Sequence, residues 1–297
     1  MPEMPEVEQV RKTLVPHITG KRILGVEVRL PRLIVHPDAE AFSRELEGRR
    51  FDRVERQGKY LLLRLDSGRT LMVHLRMTGA LVACPKEGPE PPYAKVRFRL
   101  EGEEDLWFTD IRTFGTLCLL GGDDPYINTG LATLGPEPLS EGFTPEYLRK
   151  IAARSSQAVK SFILDQRKIA GLGNIYADEA LFKARIHPLR PARLLKKEET
   201  ERLWEAVNAV IAQGLENRGT SFRNYQDANG EMGDNQNHLQ VYQRKGQPCR
   251  ACGETLVQIK VGGRGSVYCP ACQKPPRKRR KTATGARKTK DKGATAR

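Results

Sequence analysis

The chain has 297 residues, which is enough for roughly two domains of ~150 residues each. Its 51 Lys and Arg residues outnumber 36 Asp and Glu residues, and this net charge of +15 predicts a polyanionic partner, because clustered cations repel one another unless negative charge lies among them. No apolar run approaches the ~20 residues of a membrane span and the start MPEMPEVEQV is too acidic for a secretory signal, so we expect a cytoplasmic protein that handles nucleic acid.

The first predicted element is a helix over Pro5–Leu14. Proline suits the first turn of a helix, and Glu6 and Glu8 suit the positive end of the helix dipole. The apolar residues recur every three or four positions and so share one face.

From about residue 22 to 120 the sequence is strand-like, with short apolar runs separated by Gly, Asp and Ser. No 12-residue helical pattern lies between the runs, which argues against a parallel α/β sheet and favours an antiparallel sandwich. The runs are Arg22–Leu30, Lys59–Leu65, Leu71–His74, Lys95–Leu100 and Leu106–Thr109.

From about residue 143 to 218 the apolar period changes to 3.6. Thr144 is predicted to cap a helix that begins at Pro145. The next residues predict helix, tight turn, helix, with Val159–Ile169 and Ile175–Ala184 flanking the turn AGLGN. A later helix carries an apolar stripe and ends before Gly219; the stripe is Leu203, Val207, Val210, Ile211 and Leu215.

Four of the six cysteines form two C-x2-C pairs with sixteen residues between them: Cys249, Cys252, Cys269 and Cys272. Two such pairs can close a tetrahedral thiolate site, so we predict one structural Zn²⁺ with no open position for chemistry. Disulfides are the alternative, but they need an oxidising compartment that nothing in the sequence indicates. Cys84 and Cys118 are predicted to be inert packing residues.

Between the cysteine pairs the sequence predicts a β-hairpin with a Gly-rich tip that carries Arg264. Glycines let a backbone approach a surface closely, and a metal-braced hairpin would hold the guanidinium rigidly. Arg264 is therefore a candidate contact to phosphate or a base; the alternative is an ordinary solvated arginine in a glycine turn.

The last residues, 274–297, carry 11 Lys and Arg and one acid, a net charge of +10. They show no hydrophobic period, so we predict a disordered tail that tethers the protein to nucleic acid in a salt-dependent way. The alternative is a solvated tail with no specific role.

The amino terminus can supply a nucleophile if the small residue at position 2 permits removal of Met1. An α-amino group titrates near ~8 and a lysine near ~10.4, so a freed Pro2 amine is neutral more often and can form an iminium with an electrophilic carbon. Glu3 and Glu6 lie beside it as candidates for proton donation and for placing the amine. The alternative is that Pro-Glu only starts a helix.

Several motifs in order resemble the formamidopyrimidine-DNA glycosylases, over about residues 2–273. The start PEMPEVEQVRKTL resembles that family's usual PELPEVE. The other motifs are GKYLLL, HLRMTG, TDIRTFG, LDQRKIAGLGNIYADEALF and the finger ending YCPACQ.

The resemblance implies the chemistry of the site. In this family the mature terminal proline, here Pro2, attacks C1′ of a damaged nucleotide, expels the base and cuts the strand by β,δ-elimination. Glu3 matches the residue that assists opening of the sugar ring, and Glu6 matches a second acid nearby. Lys59 matches a lysine that contacts phosphate and assists elimination.

The resemblance also implies how DNA is held. Base excision requires the damaged nucleotide to leave the stack. Met77, Arg112 and Phe114 match the residues that fill the void and face the orphaned base, and their types suit two apolar wedges and a planar donor. Packing in a core is the other interpretation of Met77 and Phe114.

Further residues match DNA contacts of the family. The turn AGLGN resembles the family's helix–two-turn–helix element, whose amides point at phosphate together with Asn174. Lys160 matches another phosphate contact, and Arg264 matches the finger arginine at the flipped nucleotide. Tyr93 stands where many relatives carry a DNA-contacting histidine, and His74 opens a family motif, as a DNA contact or a packed structural residue.

We therefore predict a multidomain α+β protein: an N-terminal helix with an antiparallel β-sandwich, then a helical domain with a C-terminal zinc-bound β-hairpin. The predicted divisions are residues 1–136, 137–225, 226–273 and the tail 274–297. We expect a monomeric base-excision-repair glycosylase and lyase that acts on oxidised purines in double-stranded DNA and associates with the nucleoid. The alternatives are an endonuclease VIII-type enzyme for oxidised pyrimidines and a non-catalytic zinc-ribbon protein that binds nucleic acid.

Overall fold

The computed structural model describes residues 1–121, 130–222 and 225–275. No helix in these ranges is long and apolar enough to cross a membrane. The tail prediction falls almost entirely on residues 276–297, which lie outside the described ranges.

The N-terminal half is a β-sandwich of two sheets. One sheet contains β1 (Ile23–Val28), β6 (Gly79–Pro85), β7 (Ala94–Leu100) and β8 (Glu104–Asp110), in the order β1-β7-β8-β6. The other contains β2 (Ile34–His36), β3 (Phe51–Gln57), β4 (Tyr60–Leu65), β5 (Thr70–His74) and β9 (Thr116–Leu120), in the order β2-β9-β5-β4-β3.

The pairing is antiparallel except between β2 and β9, where Ile34 pairs with Leu117 in parallel. The prediction of an antiparallel sandwich therefore needs this one correction. Apolar residues of both sheets, such as Phe98, Phe108 and Leu63, are fully buried in one shared core.

Two helices accompany the sandwich. The first, α1 (Met4–Ile18), extends one turn beyond the predicted Pro5–Leu14 and packs on β3 and β4 through a fully buried apolar face. The second, α2 (Ala39–Leu46), was not predicted; Asp38 caps it by accepting the backbone N–H of Ala41 at 2.8 Å. Its eight residues are too few for the helical period to stand out from the neighbouring strands.

The helical part contains α3 (Pro145–Ala153), α4 (Val159–Ile163), α5 (Asn174–Lys183) and α6 (Lys197–Glu216). Thr144 caps α3, as predicted. The helix predicted to run to Ile169 ends at Ile163 instead, because the side chain of Asp165 accepts the backbone N–H of Arg167 at 3.1 Å and turns the chain.

The C-terminal hairpin consists of β10 (Val257–Val261) and β11 (Arg264–Tyr268), joined by Gly262 and Gly263. Both glycines have positive φ, 55° and 78°, as a two-residue turn of this kind requires. Asp178 on α5 accepts from the Ser266 hydroxyl at 2.8 Å and the Val267 amide at 3.0 Å. The hairpin is therefore fixed to the helical part.

After α6 the chain returns to the sandwich. Ala228 is buried in the N-terminal core, receives a hydrogen bond at its carbonyl from Ala83 and donates its amide to Thr13. Asp227 accepts from the Gln9 side chain at 3.1 Å. Asp227 and Ala228 thus connect the two halves of the molecule, and both lie C-terminal to the boundary predicted between residues 225 and 226.

Candidate active site

The beginning of α1 and the beginning of α5 meet at the centre of the site. Pro2, which carries Met1 on its nitrogen, and Glu3 are both buried there. The Glu3 carboxylate accepts the backbone N–H of Gly173 at 2.7 Å and of Ile175 at 2.9 Å. A Cβ at position 173 would lie 2.3 Å from Cδ of Glu3, so only glycine allows this approach.

Burial controls the ionisation of this group. It raises the pKa of Glu3 to about 7, with the negative charge of Glu6 acting in the same direction and the positive charge of Lys59 opposing both. Burial also lowers the pKa of the Lys59 ammonium, whereas the charge of Glu3 raises it. Near neutral pH the site therefore holds a carboxyl that can donate a proton and a lysine that gives up its own more readily than usual.

Glu6 accepts three hydrogen bonds within the same buried cluster. Its Oε2 accepts the backbone N–H of Glu3 at 2.8 Å. Its Oε1 accepts the hydroxyl of Tyr176 and the amide of Thr220, both at 2.7 Å. The carboxylate of Glu6 thus fixes the first turn of α1 from three directions.

A cavity of about 430 Å³ opens directly beside this cluster. Pro2 and Glu6 line its inner end, Met77 and Arg112 line it from the sandwich, and Tyr242 lines it from the helical side. The volume falls within the range of ~300–1,000 Å³ typical of ligand pockets.

Lys59 is held at the β3–β4 turn by an ionic network that the sequence did not reveal. The guanidinium of Arg56 bonds to Glu8 at 3.0 Å and to both carboxylate oxygens of Glu137 at 2.6 and 3.0 Å. Glu137 also accepts the backbone N–H of Gly58 at 2.5 Å. The residue before Lys59 is thereby tied to the segment that leads into the helical part.

Met77, Arg112 and Phe114 lie on two loops at the surface of the sandwich. Met77 is 39% exposed and Phe114 is 52% exposed, so neither belongs to a core. The guanidinium of Arg112 lies 4.8 Å from the centre of the Phe114 ring. The loops themselves are firmly bonded, since Asp110 accepts the hydroxyl of Thr78 at 2.5 Å and the amide of Arg112 at 3.1 Å.

The helix–two-turn–helix residues lie against the zinc hairpin. Asn174 donates to the carbonyl of Gly265 at 3.2 Å, while its buried Oδ1 has no partner within the described residues. Lys160 is fully buried, 2.7 Å from Asp178 and 2.7 Å from the same carbonyl. A contact between Lys160 and phosphate would require this ion pair to rearrange, so in the free protein Lys160 braces the hairpin that presents Arg264.

His74 and Tyr93 have different surroundings. His74 is buried, accepts the backbone N–H of Arg76 at 3.0 Å and packs edge-on against Tyr60 at 4.6 Å. Burial lowers the pKa of His74 to about 3, so it is neutral and the packed, structural interpretation is favoured. Tyr93 is 56% exposed with φ of 62°, and its carbonyl accepts the amide of Asp110, next to the loop of Arg112.

The sulfur atoms of Cys249, Cys252, Cys269 and Cys272 lie within 4.8 Å of one another. A tetrahedron with metal–sulfur bonds of ~2.3 Å needs sulfurs about 3.8 Å apart. The Cys252 sulfur lies 3.5 Å from the sulfurs of Cys269 and Cys272, so small shifts of these side chains would complete such a site. Cys84 and Cys118 take no part in the cluster.

Comparison with known proteins gives one consistent result. Three family profiles match: the formamidopyrimidine-DNA glycosylase N-terminal domain over residues 1–117, its H2TH domain over 134–226, and a zinc finger found in FPG and IleRS over 246–275. The chain is 48% identical to the formamidopyrimidine-DNA glycosylase of Symbiobacterium thermophilum, across 93% of this chain and 90% of that protein. The chain belongs to the formamidopyrimidine-DNA glycosylase family.

Other relatives agree with this assignment. The formamidopyrimidine-DNA glycosylase of Pelotomaculum thermopropionicum is 47% identical, across 92% of this chain and 99% of that protein. Lactococcus lactis Fpg, solved with DNA that contains an abasic site, is 34% identical with a TM-score of 0.86, across 92% of this chain and all of that one. A variant of the same protein solved with Fapy-dG DNA has a TM-score of 0.87.

Membership confirms the predicted multidomain α+β fold, the DNA glycosylase of base excision repair and the single structural Zn²⁺. The alternative of a non-catalytic zinc-ribbon binder is wrong, because the match extends over the glycosylase N-terminal domain as well as the finger. The roles of the individual site residues stay predictions.

The sequence alone did not indicate the residues that hold Glu6 and the turn of Lys59 in place in this formamidopyrimidine-DNA glycosylase. Tyr176 and Thr220 donate to Glu6, and Asn235 donates to both of them. Arg56 and Glu137 support the turn that carries Lys59. One available signal is the position of Tyr176 inside the motif that contains AGLGN, two residues after Asn174.

Proposed function

We propose that this glycosylase removes oxidised purines, 8-oxoguanine and formamidopyrimidines, through a Schiff base at Pro2 and then cuts the strand by β,δ-elimination. The observation that carries the proposal is the carboxyl of Glu3, anchored on two backbone amides with a pKa of about 7, next in sequence to Pro2, which lines the cavity. Removal of Met1 is required, because the Pro2 nitrogen otherwise remains in a peptide bond.

The chemical steps follow from these positions. The freed amine of Pro2 forms a bond to C1′ as the bond from C1′ to the base breaks. The electron pair of that bond leaves with the base, which takes up the proton lost by the amine. The nitrogen lone pair then expels the sugar ring oxygen, Glu3 gives that oxygen its proton, and the iminium between Pro2 and C1′ results. The iminium acidifies the neighbouring C2′–H, so the 3′-phosphate and then the 5′-phosphate can leave. Lys59, with its lowered pKa, is placed to assist these eliminations.

The cavity suits a nucleotide that has left the stack. It connects Pro2 with Met77 and Arg112, so a base held inside would bring its sugar to the amine while the two exposed side chains face the gap in the duplex. Phe114 supports the insertion, since an exposed aromatic ring can enter between bases. Arg112 supplies a planar donor for the orphaned base.

The backbone of the damaged strand has a matching surface. The start of α5 with Asn174 and the hairpin tip with Arg264 lie side by side, joined through the Gly265 carbonyl. Helix starts and guanidinium groups both bind phosphate well. The zinc site holds this hairpin in place and supplies structure rather than chemistry.

Two observations favour oxidised purines over oxidised pyrimidines. The curated relatives named above are formamidopyrimidine-DNA glycosylases, and similar solved structures include MutM with DNA that contains carbocyclic 8-oxo-G, at 34% identity and a TM-score of 0.86. In addition, Met77 and Arg112 line the cavity and Phe114 lies against the Arg112 guanidinium, which agrees with the purine-type arrangement implied by the resemblance.

Borohydride trapping on an 8-oxoguanine duplex tests the proposal. The wild-type protein is expected to form a covalent adduct and to cut the strand, and Pro2→Gly and Glu3→Gln are expected to lose the adduct. Pro89→Gly and Glu47→Gln are matched controls at exposed positions away from the cavity and should behave as wild type. An adduct of wild-type yield in Pro2→Gly would contradict the proposed nucleophile.

A further inference from the structure

Tyr176 is buried between the active site and a second cavity. It lies on α5, is 1% exposed, and donates its hydroxyl to Oε1 of Glu6 at 2.7 Å. The same residue lines a separate cavity of about 280 Å³ together with Val210 and Leu239. The ring of Tyr176 therefore borders the second cavity, and its hydroxyl bonds to Glu6, which lines the first.

A chain of hydrogen bonds fixes the direction in which the Tyr176 hydroxyl points. The side-chain amide of Asn235 donates to the hydroxyl oxygens of Thr220 at 2.8 Å and Tyr176 at 3.4 Å. The carbonyl oxygen of Asn235 accepts from Gln213 and Asn217, each at 3.3 Å, which orients the amide. Since the Tyr176 oxygen receives from this side, its own proton is directed to Glu6.

The helix opposite Tyr176 is shaped to admit its ring. A Cβ on Gly214 of α6 would lie 2.5 Å from the Tyr176 hydroxyl oxygen and 2.6 Å from a ring carbon. Real Cβ atoms do not approach that closely, so any larger residue at 214 would push the phenol away from Glu6. The glycine thus gives an independent way to displace the hydroxyl without removing it.

We propose that Tyr176 is a positioning residue of the glycosylase reaction, which acts through Glu6 to hold the first turn of α1 so that the Pro2 amine meets C1′. The inference rests on the proposed function, because it concerns the same nucleophile. Glu6 connects Tyr176 with Pro2. Its Oε1 accepts a hydrogen bond from the Tyr176 hydroxyl, and its Oε2 accepts one from the backbone N–H of Glu3, next to Pro2.

The effect of losing the hydroxyl follows from the burial of Glu6. Without the Tyr176 hydroxyl, Oε1 of the buried Glu6 carboxylate keeps only the Thr220 amide as a donor, so the carboxylate is held less firmly and can turn. Such a turn moves Oε2, which holds the Glu3 amide, and a displacement of the nucleophile by about 1 Å costs about 100-fold in rate. Binding of DNA depends on other residues and should be unaffected.

The test compares two variants, each of which removes the hydroxyl of one tyrosine. Tyr176→Phe removes the hydroxyl at Glu6, and Tyr147→Phe removes one that donates to the Lys168 carbonyl at 3.0 Å, outside the site. Each variant, with Met1 removed, is measured for affinity to an abasic-site duplex and for the single-turnover rate of borohydride trapping at saturating enzyme.

We expect Tyr176→Phe to trap about 10- to 100-fold more slowly with unchanged affinity, and Tyr147→Phe to match wild type in both. Gly214→Ala should slow trapping in the same way, and it carries the test if Tyr176→Phe does not fold. A wild-type trapping rate in Tyr176→Phe, or a loss confined to affinity and thermal stability, would overturn the inference. Failure of the wild-type protein itself to form an adduct would instead overturn the proposed function.

Discussion

The two parts of the site that face the cavity differ in how much of their geometry exists before DNA binds. Around Pro2, the side chains of Glu3, Glu6 and Lys59 are buried, and the two carboxylates accept five hydrogen bonds between them from the protein. Around Arg112, the loop backbone is fixed but the side chains project outward, with Phe114 half exposed. The part around Pro2, the chemical end, is therefore preformed. The part around Arg112, the inserting end, has side chains whose contacts form only when DNA binds.

The difference has a physical reason. A proton donor with a raised pKa exists only where water is excluded, so Glu3 must be enclosed by protein at all times. Side chains that enter a base stack must be exposed until the duplex arrives, and their apolar surface is buried by DNA. Changes at the first end should therefore affect chemistry, and changes at the second should affect recognition.

The largest expected effect comes from Glu3→Gln, which keeps the shape of the side chain and removes the carboxyl proton at the chemical end. Base release in single turnover should fall by about 10³-fold, in the middle of the range for a general acid. Because the pKa of Glu3 is raised to about 7, its protonated form predominates below that pH and is lost above it. Loss of this proton should therefore make the wild-type excision rate decline on the alkaline side of its optimum, whereas protonation of the Pro2 amine lowers the rate on the acid side.

This pH dependence supplies its own control. The decline above pH 7 should be missing from the residual activity of Glu3→Gln and present in Glu47→Gln, whose carboxyl is exposed. A decline of equal size in Glu3→Gln would assign the titration to another group.

The next largest effect is expected from loss of zinc. Without the metal that joins its four thiolates the hairpin unfolds, so DNA affinity should fall by roughly 100-fold or more. The measurement is the binding of an abasic-site duplex before and after chelation, with metal content determined for each sample. Restoring Zn²⁺ should restore affinity; unchanged affinity after verified metal loss would remove Arg264 and the hairpin from the account.

A smaller and more specific effect is expected at the inserting end. Arg112→Ala should reduce discrimination among bases opposite the lesion by about 10-fold, as loss of a base contact implies. Arg53→Ala, an exposed arginine on β3 that pairs with Glu55, should leave discrimination unchanged. The measurement is single-turnover excision opposite each of the four bases, and an equal loss opposite all four would instead indicate a phosphate contact.

The sequence indicated candidates for the reacting residues and missed the residues that hold those candidates in place. Pro2, Glu3 and Lys59 lie in short motifs that can be recognised in the sequence. Their partners are far along the chain: the carboxylate of Glu3 is held by Gly173 and Ile175, about 170 positions away. Such pairings arise only when α1 and α5 are brought together, and periodicity carries no information about that contact.

The same limit explains the corrections to the fold. The capped helix at Thr144, the glycine turn of the hairpin and the cysteine cluster are local patterns, and all three are present. The parallel pairing of β2 with β9 joins strands about 80 residues apart. Lys160 shows the limit for a single side chain, because a basic residue near a phosphate-binding turn proves to be fully buried against Asp178.

The claim that the chemical end is ready before DNA arrives is tested most directly by titrating Glu3 in the free protein. Carboxyl-¹³C spectra of glutamate-labelled protein, recorded without DNA across the pH range, follow each glutamate separately. We expect one carboxyl resonance that titrates with a midpoint near 7 and is absent from the spectra of Glu3→Gln. A Glu3 midpoint at the ordinary value of 4.5 would contradict the account, because the proton donor would then exist only once the duplex had bound.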